Sequence, residues 1–264
     1  MTLPATSAPS ARHDSSLEGT VAIVTGAAGA MGTAIVARLL ERGALVALAD
    51  IDRDAVHAAL AALTPSRRDR AAAFTLDVRD DGSCARMVAD VIDHFGHLDL
   101  LVNNAGIMAR NNALTTDTEL FQKILDVNLT GAFRMARAAF EPLKASASGA
   151  VISVSSTHAF LAAKNSVAYS TSKAALSHLT RLLALEWAEF GIRVNAVAPT
   201  VVPSAMTDDV LADPAYIARK MAAIPLGRPI PAAHVAAAIG YLASADAGST
   251  TGQILVLDGG ESLA

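Results

Sequence analysis

One cysteine, Cys84, is all that the 264 residues contain. A lone thiol excludes an intrachain disulfide and a cysteine-based metal site, and reads as a small buried side chain in a reducing compartment. Charge is sparse as well. Only 17% of residues are Asp, Glu, Lys or Arg, the net charge is −4, and the basic residues form no cluster. Nucleic acid and anionic membranes are therefore poor partners. Aromatics make up 4% of the chain, and the Ala, Val and Leu that replace them suit helices packed closely on a buried sheet. No long apolar run exists. Residues 145–163 lack Lys, Arg, Asp and Glu, but Gly149, several serines and His158 interrupt them, which excludes a membrane-spanning helix. No His, Asp and Glu cluster has metal-ligand spacing. Residues 1–16 have no apolar core segment and read as a loose tail, not a signal peptide, so the expected location is cytoplasmic.

What is present is an alternation. "TVAIVTG", "ALVALAD", "RAAAFTLDV", "LDLLVNNAG", "AVISVSS", "IRVNAVAP" and "QILVLDGG" are short apolar runs that read as buried strands. Between them, helical periodicity spans 31–43, 53–63, 81–95, 117–127, 129–145, 168–190 and 231–243. Strands apolar on both faces belong in a parallel sheet covered by helices on each side. The expectation is one α/β domain over 17–264, a Rossmann-like doubly wound sheet of about seven strands. The stretch 200–228 is too long for a simple connection and reads as a substrate-side loop or lid.

"TGAAGAMG" places Gly26, Gly29 and Gly32 between the first strand and the first helix. Missing β-carbons let the backbone turn tightly and approach a pyrophosphate, and a helix N-terminus offers N–H groups to it. Asp50 ends the second strand, where a dinucleotide fold places a carboxylate for the adenosine ribose. That carboxylate would repel a 2′-phosphate, no arginine directly follows it, and the loop carries no cation. NAD is therefore favoured over NADP.

"NNAG" follows the fourth strand at 103–106, and "YSTSK" at 169–173 opens a helix. Ser156 lies thirteen residues before Tyr169, and Asn128 stands in "DVNLTGAF". With the glycine spacing, these motifs resemble the short-chain dehydrogenase/reductase family over residues 17 to about 260. The resemblance implies Asn128, Ser156, Tyr169 and Lys173 as catalytic residues. It implies cofactor contacts from Gly26, Gly29, Ala30, Met31, Gly32, Asp50 and Ile51. Asp77 and Val78 would face the adenine, and Asn104, Ala105 and Gly106 the adenosine side. Pro199, Val202 and Ser204 would meet the nicotinamide. One departure stands out. The family has glycine after Pro199, and this chain has Thr200.

Tyr169 and Lys173 are i and i+4, so they share a helix face. A nearby ammonium favours the phenolate and brings a phenol closer to working pH. Tyr169 is then the proton donor and acceptor at the substrate oxygen, and Lys173 lowers its pKa. By resemblance, Lys173 also holds the nicotinamide ribose, and the Asn128 carbonyl holds a relay water. Ser156 hydrogen-bonds the substrate oxygen. Ser155, on the other side of the strand, is structural.

Substrate contacts are expected from Ser156, His158, Lys164, Asn165 and Tyr169, with Met108 and Arg110 nearby. Their polarity points to a secondary alcohol that is a sugar, polyol or hydroxy acid. Helices 129–145 and 168–190 carry Phe133, Phe140, Leu176, Leu179, Leu183 and Trp187 on more than one face, and family members pair these helices, so a homotetramer is expected. Two rivals remain: an NADPH-dependent 3-oxoacyl thioester reductase, which Asp50 disfavours, and a catalytically silent NAD-binding sensor, which the intact Tyr169 and Lys173 disfavour.

Overall fold

The structure, a computed structural model, describes residues 16–263. The expected tail lies outside the described residues except for Ser16.

Chain order begins with β1 (Val21–Thr25), α1 (Ala30–Glu41), β2 (Leu45–Asp50), α2 (Arg53–Ala61), α3 (Pro65–Arg68), β3 (Ala71–Thr75), α4 (Asp81–Phe95) and β4 (Leu100–Asn103). It continues through α5 (Thr118–Leu125), α6 (Gly131–Ala145), β5 (Ala150–Val154), α7 (Val167–Trp187) and β6 (Arg193–Pro199). It ends with α8 (Asp208–Leu211), α9 (Pro214–Ala223), α10 (Ala232–Ala243) and β7 (Ile254–Leu257). The strands form one sheet, all parallel, in the order β3-β2-β1-β4-β5-β6-β7.

The chain winds outward from β1 to β3, then returns to lay β4 against the other side of β1. Connections leave β1 and β4 in opposite directions, which opens a crevice at the carboxyl ends of these strands.

Both faces of the sheet are covered. Ala22 and Val24 pack with α1 and α10, while Val21 and Ile23 pack with α4, α6 and α7. This two-sided burial explains the continuous apolar runs. Cys84 lies buried in the second of these layers, and burial pushes its thiol up to about 11.

Two regions differ from the sequence reading. The helices expected at 117–127 and 129–145 are joined without a break by one π-helical turn, Asp126–Thr130. The stretch 200–228 is not a plain loop, because α8 and α9 lie in it. Asp213 starts α9, accepting from the Ala215 N–H (2.9 Å), and Pro214 fits the first turn.

Candidate active site

The glycine loop and the strand ends around it form the first part of the site. Gly26 has φ +63°, a conformation that side chains disfavour, and a β-carbon there would lie 2.9 Å from Ala105 Cα. Thr25 locks this contact. Its hydroxyl oxygen accepts the N–H groups of Asn104 and Ala105, each at 3.0 Å. The Asn104 side-chain amide donates to the carbonyls of Thr25 and Gly26, each at 2.9 Å. "NNAG" therefore braces the glycine loop. The Asn103 side-chain amide donates to the Ala132 carbonyl at the start of α6 (3.3 Å).

Gly32 is the tightest point. A β-carbon there would sit 2.2 Å from the Gly26 carbonyl oxygen. Helices α2, α4, α5 and α9 each begin with an aspartate that caps their N–H groups, but α1 begins at Gly29 with no side-chain cap. Its first-turn N–H groups face the crevice and suit an anion.

Asp50 ends β2 with its carboxylate fixed. One oxygen accepts from the Ala28 N–H (3.1 Å) and the other from the Asp52 N–H (3.2 Å). Asp77 lines the same end, but its carboxylate is engaged by Arg79 through both oxygens (2.7 and 2.9 Å). The side-chain bond from Arg79 holds the Asp77 carboxyl below its ordinary range.

A single cavity of about 560 Å³ runs from Asp50 and Asp77, past the glycine loop, to Ser156, Tyr169, Lys173 and the 200–207 segment. Ala30, Met31, Ile51, Val78, Ala105, Gly106, Pro199, Val202 and Ser204 also line it.

At the far end stand the chemical groups. Ser156 ends the β5 run and is buried, and its hydroxyl neighbours the Tyr169 phenol, whose ionised form it favours. Its hydroxyl also accepts the His158 N–H at 3.2 Å. Lys173 is buried beneath the Tyr169 ring, with Nζ 5.7 Å from the ring centroid, and donates to the Val154 carbonyl at 2.8 Å. A β-carbon at Gly106 would press on the Asn128 side-chain oxygen at 3.3 Å and make ordinary contact with Lys173 Nζ at 3.6 Å. Ser155 points away as expected, meeting the Ser177 hydroxyl (2.7 Å).

Asn128 sits in the π-helical turn. Its side chain grips Ile107 by both backbone groups, at 2.8 Å (N–H) and 2.9 Å (carbonyl), and donates to the Ser172 hydroxyl at 3.0 Å. It thus fixes the loop after "NNAG" to α7.

The electrostatics depart from the sequence expectation. Burial raises the Tyr169 phenol above its ordinary value, opposed first by the Ser156 hydroxyl and then by the charge of Arg110. Burial also lowers Lys173 to about 8. The same desolvation acts on both groups and is the largest influence on each.

This has a consequence for stability. Between about pH 8 and 10.5 the folded Lys173 has lost its proton while the unfolded one keeps it. The unfolded state binds more protons there, so stability contributed by this group rises with pH across that window. Below it, the full cost of burying the ammonium is present. We expect the difference in urea-unfolding free energy between wild type and Lys173→Met to grow in favour of wild type by about 3 kcal/mol from pH 8 to 10.5. A flat difference would contradict the burial of a charged Lys173.

Not every expected residue reaches the cavity. Lys164 and Asn165 are exposed and do not line it. Asn165 has φ +56° and turns the chain into α7, so both side chains stay outside. His158 does reach the cavity, half-buried, with its ring 5.7 Å from that of Tyr169 at 79°. Its Nδ1 is paired with the Ser166 hydroxyl (3.0 Å), and burial lowers its pKa.

Residues from the 200–228 stretch that the sequence did not single out also line it: Met206, Thr207, Tyr216 and Lys220. The excess length of that stretch was their only signal. Thr207 organises it, accepting the Ser204 N–H (3.0 Å) and donating to the Val202 carbonyl (2.8 Å).

Comparison with known proteins agrees with this geometry. The sequence pattern described as enoyl-(acyl carrier protein) reductase matches residues 26–262. The chain belongs to the short-chain dehydrogenase/reductase family.

A 2-(R)-hydroxypropyl-CoM dehydrogenase from Xanthobacter autotrophicus is 36% identical, over 90% of this chain and 97% of its own length. An NAD-dependent glycerol dehydrogenase from Listeria innocua is 34% identical, over 94% and 95%. The crystal structure of a short-chain type dehydrogenase/reductase from Mycobacterium marinum superposes with a TM-score of 0.88 at 31% identity, covering 95% of this chain and 98% of the other. The chain is an oxidoreductase for the secondary alcohol–ketone pair, with a nicotinamide dinucleotide as cofactor. Among the described residues no group of His, Cys, Asp and Glu could hold a metal, and no helix is long and apolar enough to cross a membrane.

Proposed function

We propose that this chain is an NAD-dependent dehydrogenase acting on a small, polar secondary alcohol. The observation that carries the reading is the single cavity joining the Asp50 carboxylate to the Ser156–Tyr169–Lys173 group.

The residues present fit a dinucleotide. The uncapped start of α1 and the glycine loop would receive the pyrophosphate, and Asp50 would accept from the adenosine ribose hydroxyls. Arg79, which lines the same end of the cavity, is paired with Asp77, and this weakens it as a partner for a 2′-phosphate beside Asp50. Lys173 holds the nicotinamide ribose, and Asn128 keeps the wall behind it in place. When bound, the nicotinamide supplies a hydride acceptor and, oxidised, a positive charge that favours phenolate.

The chain's own part is the proton. In alcohol oxidation Tyr169 takes the hydroxyl proton and Ser156 donates a hydrogen bond to the same oxygen, where charge develops. Ketone reduction reverses these steps. The Lys173 ammonium lies under the ring and favours the ionised phenol.

Titration of coenzyme fluorescence should show tighter binding of NADH than of NADPH. With NAD, sugars, polyols and hydroxy acids should be oxidised in preference to steroids and long-chain alcohols. NADPH binding more tightly, with 3-oxoacyl thioesters the best substrates, would favour the rival reductase reading instead.

The assembly belongs to the same proposal. Phe133 on α6 and Leu182 and Leu185 on α7 are 38%, 44% and 79% exposed. An apolar face of this kind supports pairing of α6 and α7 in a homotetramer. Light scattering should give about four times the 27.1 kDa chain mass, and a monomer would contradict it.

A further inference from the structure

Thr200 stands where the family has glycine, and the structure gives it a partner. Among the described residues Asn165 is the one non-glycine with positive φ, so Thr200 keeps an ordinary backbone. Its hydroxyl donates to one oxygen of Glu261, in the C-terminal turn Glu261–Leu263. The other oxygen of Glu261 takes the ammonium of Lys220, on α9. The pair is largely shielded, with Lys220 and Glu261 side chains 15% and 12% exposed. The turn carrying Glu261 is itself fixed, because Asp258 accepts the N–H groups of Gly260 (2.9 Å) and Ser262 (2.8 Å). Three distant segments therefore meet at one carboxylate.

Lys220 and Thr200 both line the cavity, Lys220 on the wall shared with His158 and Tyr216, while Glu261 does not. Its charge reaches the His158 ring and lowers that pKa, after the larger effect of burial. An ammonium has three N–H donors. One is taken by Glu261, and no other described residue accepts from Nζ. Arg110, the other cation on this wall, is engaged with the segment itself, donating to the Met206 carbonyl at 3.0 Å.

We propose that Lys220 determines substrate specificity by donating to a second, uncharged oxygen of the substrate, which makes that substrate a polyol or hydroxyketone. This rests on the alcohol dehydrogenase reading above. Glu261 has two effects. It fixes the ammonium at the cavity wall, and it cancels the charge. A hydroxyl or carbonyl oxygen can accept from the pair without an opposing charge, whereas a carboxylate placed there meets Glu261 as a like charge. Thr200 completes the arrangement by holding the Glu261 oxygen that Lys220 leaves. Glu261 and Thr200 are positioning residues, and Lys220 touches substrate.

The test uses three probes with one carbon skeleton: butane-2,3-diol, butan-2-ol and 3-hydroxybutyrate. NADH absorbance gives kcat/KM for each, and fluorescence gives the coenzyme Kd. Wild type should favour the diol over butan-2-ol by about tenfold or more, the worth of one hydrogen bond to a charged donor. Lys220→Met should bring that ratio towards one. Taking the ratio cancels any effect on Tyr169, which both alcohols share. Glu261→Gln, which keeps the shape and an acceptor for Lys220, lets its amide N–H donate to the Thr200 hydroxyl and restores the charge of Lys220, should shift preference from the diol towards 3-hydroxybutyrate. An undiminished diol preference in Lys220→Met, or an unchanged diol-to-hydroxybutyrate ratio in Glu261→Gln, overturns the proposal. So does a wild type that oxidises butan-2-ol as well as the diol. If coenzyme binds and none of a broad panel of secondary alcohols is oxidised, it is the functional reading beneath that fails.

Discussion

Tyr169→Phe should lower kcat/KM by about 10²- to 10⁴-fold, the usual range for a positioned general acid or base. The substitution removes one oxygen and little else. The ring keeps its edge contact with His158, and Lys173 keeps its bond to the Val154 carbonyl. Ser156 retains the His158 N–H. Folding stability and coenzyme Kd should therefore stay near wild type, so the loss falls on the chemical step. Ser156→Ala should be milder in its proton role but should still cost about 10²- to 10³-fold, as loss of a donor to a developing oxyanion does. A Tyr169→Phe enzyme with full turnover would end the proton-transfer assignment. So would a loss explained wholly by weaker coenzyme binding.

The second large effect belongs to Gly32. An alanine β-carbon there would sit 2.2 Å from the Gly26 oxygen and 2.7 Å from Ala27 Cα. Both are backbone atoms, so no rotamer change relieves the clash. Overpacking of this kind costs about 1–3 kcal/mol or more, and here the strain falls on the loop that holds the coenzyme. Gly32→Ala should lower both thermal stability and coenzyme affinity, the latter by about tenfold or more for each 1.4 kcal/mol of loop distortion.

Gly29 is the matched control. Its β-carbon would meet only the Gly26 oxygen, at an ordinary 3.7 Å, and would otherwise project into the cavity. Gly29→Ala should keep its melting temperature and lose coenzyme affinity. Equal behaviour of the two variants in both measurements would show that the glycines act as generic turn residues and not in two distinct ways.

The sequence by itself determined the fold and the chemical centre. Continuous apolar strands alternating with amphipathic helices allow little besides a parallel sheet covered on both sides, because neither face of such a strand tolerates water. Gly26, Gly32, Asp50, Tyr169 and Lys173 were legible for a local reason. Each acts through the few residues beside it, at a strand end, in a tight turn, or one helical turn apart.

Tertiary structure decided what depends on distant segments. It excluded Lys164 and Asn165 from the cavity, since the backbone turn at Asn165 aims both outward. It reversed the expected balance at Tyr169, because the burial that raises the phenol comes from packing around α7 and is invisible in an i, i+4 spacing. It also joined Thr200, Lys220 and Glu261, three residues from separate parts of the chain, around one carboxylate. No local pattern encodes a charge pair that closes only when α9, the end of β6 and the C-terminal turn pack together. Desolvation and long-range ion pairing are properties of the assembled surface, and that is why the substrate end of the cavity was the part the sequence left open.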